Sequence, residues 1–185
     1  MTEENNNIGL SWKKCALHIH TPCSNDFEGN RDITPQEFLE KMTNSNIEVC
    51  AITDHSSFGW IEDLRAANEK LENPIIIFPG TEIHTDDGMH LLVLFERNSE
   101  LSDLDHFLVN LDIKKEEFGS DKKCDRKMEG KEIIDKIHDY AALAIFPHVK
   151  QDKGFFKRFK GTSLKKEILK EGTYIFECDE NLIPD

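Results

Sequence analysis

Short apolar runs alternate along the chain with longer stretches in which apolar residues return every three or four positions. The runs fall at residues 14–20, 47–53, 74–79, 90–95, 142–147 and 173–178. Their dense Ile, Val, Leu, Phe, Ala and Cys content suits strands covered on both faces. Helical periodicity falls at 35–44, 58–71, 99–110, 130–141 and 162–170. The first helix has a marked start: "TPQE" places Thr34 at the N-cap, Pro35 at the first helical position and Glu37 at the third, a capping box with the favoured proline. "TDDGMH" sets an Asp-Gly pair between two apolar runs and predicts a hairpin turn. Strands alternating with helices predict an α/β fold built on a parallel sheet or a barrel. The polar stretch 112–130, "DIKKEEFGSDKKCDRKMEG", predicts an exposed loop, and residues 1–13 read as a polar extension ahead of one domain over 14–185.

Composition adds limits. At 185 residues the chain can bury one substantial core. A hydrophobic content of 38% against 32% charged residues is globular, not disordered. The longest apolar runs, "PIIIF" and "HLLVLF", fall far short of the ~20 residues a membrane span needs, so no membrane partner is expected. The opening "MTEENNNIGLSWKK" lacks the apolar segment of a targeting signal. The five cysteines (Cys15, Cys23, Cys50, Cys124 and Cys178) are odd in number and form no C-x-x-C pair. Cys15, Cys50 and Cys178 lie in strand-like runs, where a thiol acts as a small apolar side chain. A reduced, cytoplasmic compartment is the expectation. The net charge of −13 argues at first against nucleic acid. Between Lys150 and Glu171, however, eight basic residues face three acids, a local +5 that leaves −18 on the remainder.

The chemistry gathers at the strand ends. "CALHIH" closes on His18 and His20, "CAITDH" on Asp54 and His55, and "IIIFPGTEIH" leads to Glu82 and His84. "GMHLLVLF" opens with His90, and "LAIFPH" closes on His148. In (β/α) barrels the C-terminal strand ends are where loops converge and active sites form. Residues i and i+2 of a strand project to one side, so His18 and His20 can share an ion. Mixed imidazole and carboxylate donors suit Zn, Mn or Fe. A carboxylate such as Glu82 can bridge two ions ~3.5–4 Å apart. A lone H-x-H is weak, but five strand ends carrying ligand-type residues would crowd imidazoles and acids without compensating charge. His106 and His138, on helical stretches, are expected at the surface, and His84 at the surface or supporting a ligand from behind.

The order H-x-H, then Asp26, then T-D-H, then G-x-E, then a histidine opening a strand, then P-H resembles the polymerase and histidinol phosphatase (PHP) domain family over residues 14–180. "GTEI" followed by "GMHLLVLF" resembles most the PHP domains that precede SMC-like or AAA-like ATPase units. The resemblance implies a distorted (β/α)7 barrel holding two to three divalent ions (Mn, Zn or Fe). It places His18 and His20 on one ion, bridged by Glu82 to a second bound by His90 and His148, with Asp26 and His55 on a third. Asp54 matches no usual ligand and is expected to play a structural part. The family pattern closes with an Asp-x-His on a further strand, whereas this sequence ends in "YIFECDENLIPD", where Glu177 and Asp179 do not fit. With six strand runs against seven, the chain reads as lacking its last strand unit. Either it belongs to a longer protein or another chain supplies the last ligands.

The expected activity is that of a metal-dependent phosphoesterase: a phosphodiesterase or nuclease acting on DNA or RNA by hydroxide attack on phosphorus at a multinuclear site. His55 or His148 would assist proton transfer, and an ATPase in cis or in trans would be its partner. Lys150, Lys153, Lys157 and Arg158 would draw phosphate toward the metals or form a solvated face. Phe155, Phe156 and Phe159 would stack on bases or, at helical spacing, join the core. Two alternatives stand beside it: a small-molecule phosphatase of histidinol-phosphate or nucleotide type, and a non-catalytic module whose metals hold the fold.

Overall fold

The apolar runs become strands that lie side by side in chain order. β1 (Cys15–Ile19), β2 (Val49–Ile52) and β3 (Ile76–His84) pair in parallel. β4 (His90–Leu94) returns antiparallel to β3, β5 (Leu143–Phe146) runs antiparallel to β4, and β6 (Ile175–Phe176) pairs in parallel with β5. The computed structural model describes residues 12–121, 128–158 and 175–178. Its six strands form one curled, half-barrel sheet. The sheet is therefore mixed, not wholly parallel, and a seventh strand is not found among the described residues. The cause of the reversal is local. Gly88 takes φ +81°, the Thr85 amide donates to the Met89 carbonyl at 2.8 Å, and the chain turns back within this tight loop, too short for a helical crossover.

Among the described residues five α-helices accompany the sheet: α1 (Pro35–Asn44), α2 (Ile61–Asn68), α3 (Leu101–Asn110), α4 (Gly130–Asp139) and the short α5 (Phe155–Arg158). The expected helix at 162–170 lies outside the described residues. At α1 the capping box forms as the sequence predicts: Thr34 Oγ1 accepts from the Glu37 amide at 3.3 Å, and Glu37 Oε2 accepts from the Thr34 amide at 2.8 Å. Leu39, Leu64, Leu104, Phe107, Ile133 and Ile137 from the helices pack with Ile52, Ile77, Ile83, Leu91, Val93 and Phe146 into the main core.

Alternation along each strand turns the other residues to the concave side. There Ala51, Leu92, Leu94 and Ile145, with Leu17 and Phe78, make a small apolar floor. His90 shares parity with Leu92 and Leu94, and Glu82 with Phe78, so both stand on the floor's side at its rim. A register irregularity between Ala16 and Ile19 interrupts the pairing of β1 in the interval that carries His18.

The stretch 112–130 departs from the expected exposed loop. Ile113 and Met128 are buried, and Gly119 docks on the neighbouring loops. Its amide donates to the His55 carbonyl at 2.7 Å, and its carbonyl accepts from the Asn25 amide at 2.7 Å. Gly119 takes φ +78°, and a Cβ there would overlap the Cys23 carbonyl oxygen, so the position requires glycine. Of the cysteines in the strand-like runs, Cys50 is fully buried in the core, its thiol pushed up to about 12 by burial, and Cys178 packs against the core's edge. Cys15 is exposed and Cys178 half-buried. Among the described residues no helix is long and apolar enough to cross a membrane.

Leu92 is 1% exposed on the floor and pairs in register with Glu82. Leu92→Ala should lower stability by about 2–5 kcal/mol, read as a shift of the urea midpoint at unchanged slope. A shift under about 1 kcal/mol would show that the floor is not a packed layer.

Candidate metal centre

Because β1, β2, β3 and β5 point one way and β4 the other, four C-terminal ends and one N-terminal end meet at the same rim. His18 and His20 arrive from β1, His55 from the turn after β2, Glu82 from β3, His90 from the start of β4 and His148 just past β5. Glu82 lies at the middle, its side chain 2% exposed.

Its two oxygens divide the histidines between them. Oε2 lies 3.2 Å from His18 Nε2 and 3.0 Å from His20 Nε2. Oε1 lies 2.5 Å from His90 Nδ1 and 3.3 Å from His148 Nε2. Two ligand sets result, His18–His20–Glu82 and Glu82–His90–His148, joined by one carboxylate. A third set adjoins them: Asp26 reaches His20 Nδ1 at 3.1 Å and His55 Nε2 at 3.2 Å. All seven residues that the resemblance marks as ligands thus converge on one cluster.

Most of these imidazoles have a second acid behind them. His18 turns Nδ1 to Glu177 Oε2 at 2.9 Å, and His90 turns Nε2 to Asp121 Oδ1 at 3.0 Å. Ligating histidines are oriented in this way, one nitrogen on the ion and the other N–H on a carboxylate. Among the described residues the buried Nδ1 atoms of His55 and His148 have no hydrogen-bond partner. His148 (φ 34°) and Ser56 (φ 44°) take left-handed backbone that bulky residues rarely adopt, and such strain gathers at functional sites.

Sequence reasoning missed two acids. Glu177 failed the expected Asp-x-His pattern, yet it also accepts from the His148 amide at 3.3 Å. Its signal was an acid closing an apolar strand run, the mark shared by the other strand-end residues. Asp121 lay in the supposed exposed loop; its carboxylate takes His84 Nδ1 at 2.8 Å, His90 Nε2 and Lys153 Nζ. His84, 12% exposed at its side chain, is accordingly half-buried in the site's flank. Asp179 lies outside the described residues. Asp54 is fully buried and accepts from both the Thr21 amide and the Thr21 hydroxyl at 2.6 Å, fixing the loop that carries Asp26.

Of the four basic residues expected near phosphate, Lys153 reaches the cluster through Asp121. Lys150 is exposed, Lys157 lies 3.5 Å from Asp152, and Arg158 donates to the Asp87 carbonyl at 2.9 and 3.1 Å. Phe155 is fully buried, Phe156 is 40% exposed, and Phe159 lies outside the described residues. His106 and His138 are exposed, as expected.

The electrostatics are strongly coupled. Burial alone would raise the Glu82 carboxyl's pKa, but hydrogen bonds from His148, His18, His20 and His90 outweigh it and hold Glu82 far below the usual carboxylate range. Burial opposes protonation of His18, yet hydrogen bonds to Glu177 and Glu82 lift it to about 10. His20 and His90 are raised on the same balance, against burial, by their carboxylates. His55 is lowered, chiefly by burial. Glu177 is lowered by its bond to His18.

No protein-family model and no curated protein matches the sequence. Solved structures do match. The chain is similar to a lesion-specific endonuclease from Pyrococcus furiosus, with TM-score 0.71 and 14% identity over 94% of this chain and 43% of that one. It is similar to an Endonuclease Q in complex with a 27-mer duplex bearing an abasic lesion at the active site, with TM-score 0.65 and 15% identity over 88% of this chain and 41% of that one. It is similar, too, to a two-domain protein from Bacteroides vulgatus containing a PHP-like metal-dependent phosphoesterase, with TM-score 0.56 and 16% identity over 86% and 42%. The chain therefore spans less than half the length of each, and the shared property is a PHP-like fold.

The pKa shifts set a pH dependence. A histidine whose folded pKa is raised stabilises the fold fully below its unfolded value of 6.5 and loses that contribution as pH climbs through the folded value, about 10 for His18. With chelator present, the melting temperature should fall as pH rises from 6.5 toward 10. Over the same interval the increment in melting temperature on adding Zn or Mn should grow, because the ion displaces fewer protons. An increment that shrinks with pH would exclude the cluster as the binding site.

Proposed function

We propose that the domain is a metal-dependent phosphoesterase of PHP type, acting as a nuclease on DNA or RNA. One observation carries the metal centre: the buried Glu82 gives each of its oxygens to a separate pair of histidines, at 3.2 and 3.0 Å on one side and 2.5 and 3.3 Å on the other. A single carboxylate so divided is built to bridge two cations, and the nitrogen-rich donor set suits Zn, Mn or Fe. Two ions would take the two Glu82 sets, and Asp26 with His55 would hold a third. When bound, such ions polarise phosphoryl oxygens, activate water as the nucleophile and stabilise the leaving oxygen.

The chain's own residues do the rest. Glu82 fixes the spacing of the two sets, and Asp54 fixes the loop that presents Asp26. Lys153, beside the cluster, supplies positive charge toward an incoming phosphodiester, and exposed Lys150 and Lys157 extend that charge outward. His55 and His148, whose Nε2 atoms face the cluster at 3.2 Å from Asp26 and 3.3 Å from Glu82, would assist proton transfer there. Support for a nucleic-acid substrate comes from the endonuclease neighbours and from this basic flank. An ATPase partner, in cis or in trans, follows from the sequence resemblance, and so does a cytoplasmic setting from the reduced cysteines.

Glu82→Gln should cost at least about 10²-fold in metal-dependent cleavage of a single-stranded oligonucleotide, the equivalent of several kcal/mol of lost charge stabilisation. Wild-type protein that melts higher with Zn or Mn but turns over no phosphate ester would identify a metal-stabilised scaffold instead. The combined change Lys150→Glu and Lys157→Glu should weaken oligonucleotide cleavage while sparing p-nitrophenyl phosphate. Equal loss on both substrates would favour a small-molecule phosphatase.

A further inference from the structure

We propose that Asp121 is a positioning residue for the metal centre: it holds His90 by Nε2, so that Nδ1 is the nitrogen His90 would offer to an ion shared with Glu82. The inference rests on the metal-centre reading above and extends it to an acid outside the ligand order that the sequence displays. His90 is fixed from both ends, Nδ1 at 2.5 Å from Glu82 Oε1 and Nε2 at 3.0 Å from Asp121 Oδ1. A neutral imidazole offers one donor and one acceptor, so a donor bond to Asp121 decides which nitrogen can bind an ion.

Asp121 is itself held on every side. Oδ1 also takes His84 Nδ1 at 2.8 Å, and Oδ2 pairs with the Lys153 ammonium. The Lys153 carbonyl accepts from the His90 amide at 2.9 Å, tying the same segment to β4 a second time. Two residues earlier, Gly119 clamps the strap between the Asn25 amide and the His55 carbonyl, which sets where Asp121 enters the rim. His84 and His90 are register partners across the β3–β4 hairpin, so their spacing is rigid.

His84, His90 and Asp121 lie close enough to hold an ion of their own. Two features argue for the positioning role instead. An ammonium already occupies the second oxygen of Asp121, where it would repel a cation. A neutral His90 also has one lone pair to give, and its Nδ1 lies in the Glu82–His148 set. Partners that orient ligating histidines typically contribute 10–100-fold in metal affinity, and that is the scale expected here.

The test is calorimetric titration of the full chain with Zn and with Mn, alongside metal counting and the visible spectrum of the Co(II)-loaded protein. Asp121→Ala should bind the ion of the Glu82–His90–His148 set about 10–100-fold more weakly with the number of ions per chain unchanged. Its Co(II) bands should shift, because the orientation of His90 changes. Asp121→Asn, which keeps a carbonyl acceptor, should recover part of the affinity, and His84→Gln should lose less than Asp121→Ala. If Asp121→Ala does not fold, as judged by circular dichroism, Asp121→Asn and His84→Gln carry the comparison. Unchanged affinity in these variants would overturn the proposal, as would the loss of one whole ion, which would make Asp121 a ligand. Failure of the wild-type chain to bind any ion would instead remove the metal-centre reading itself.

Discussion

The structure is organised around a buried carboxylate. Glu82, 2% exposed, sits among nitrogens of His18, His20, His90 and His148, all within 3.3 Å. Isolated in an apolar interior, that charge would cost several kcal/mol. It is tolerated because four imidazoles turn toward it, and they reach it because strands of both directions end at one rim. The reversed strand is essential to this. A β4 running parallel to β3 would deliver Leu94 to the rim and carry His90 to the far end of the sheet.

Around this centre lies a second ring of acids. Glu177 backs His18, Asp26 backs His20 on its outer nitrogen, and Asp121 backs His90. The ring does two things. It holds the outer nitrogens of these three imidazoles, and it concentrates negative charge beside the candidate cation sites. The basic residues lie on the flank after His148, and Lys153 joins that flank to the ring through Asp121.

The neighbours in fold include DNA endonucleases and a PHP-like phosphoesterase, at 14–16% identity. A fold of this kind hosts more than one chemistry, so the case for phosphoester hydrolysis rests on the site, where paired ligand sets share one bridging acid. The nuclease reading adds to that site the charge of the segment beyond His148, and no base-reading surface enters into it.

Much of this was legible in the sequence. The strand runs, α1 with its capping box and the hairpin at Asp87–Gly88 follow from local periodicity and turn chemistry, which a chain carries within a few residues. His18, His20, His55, Glu82, His90 and His148 were marked by their place near strand ends, a property that also survives in one dimension, while Asp26, in a loop, was marked only through the family resemblance. Tertiary structure alone decided the rest. The polar stretch around Gly119 became a docked strap because its contacts, to Asn25 and His55, are far away along the chain. The same packing drew Asp121 and His84 into the site and brought Glu177 to His18 across 159 positions of sequence. A residue's own neighbours encode its secondary structure, whereas which acid meets which imidazole depends on how distant segments close on one another.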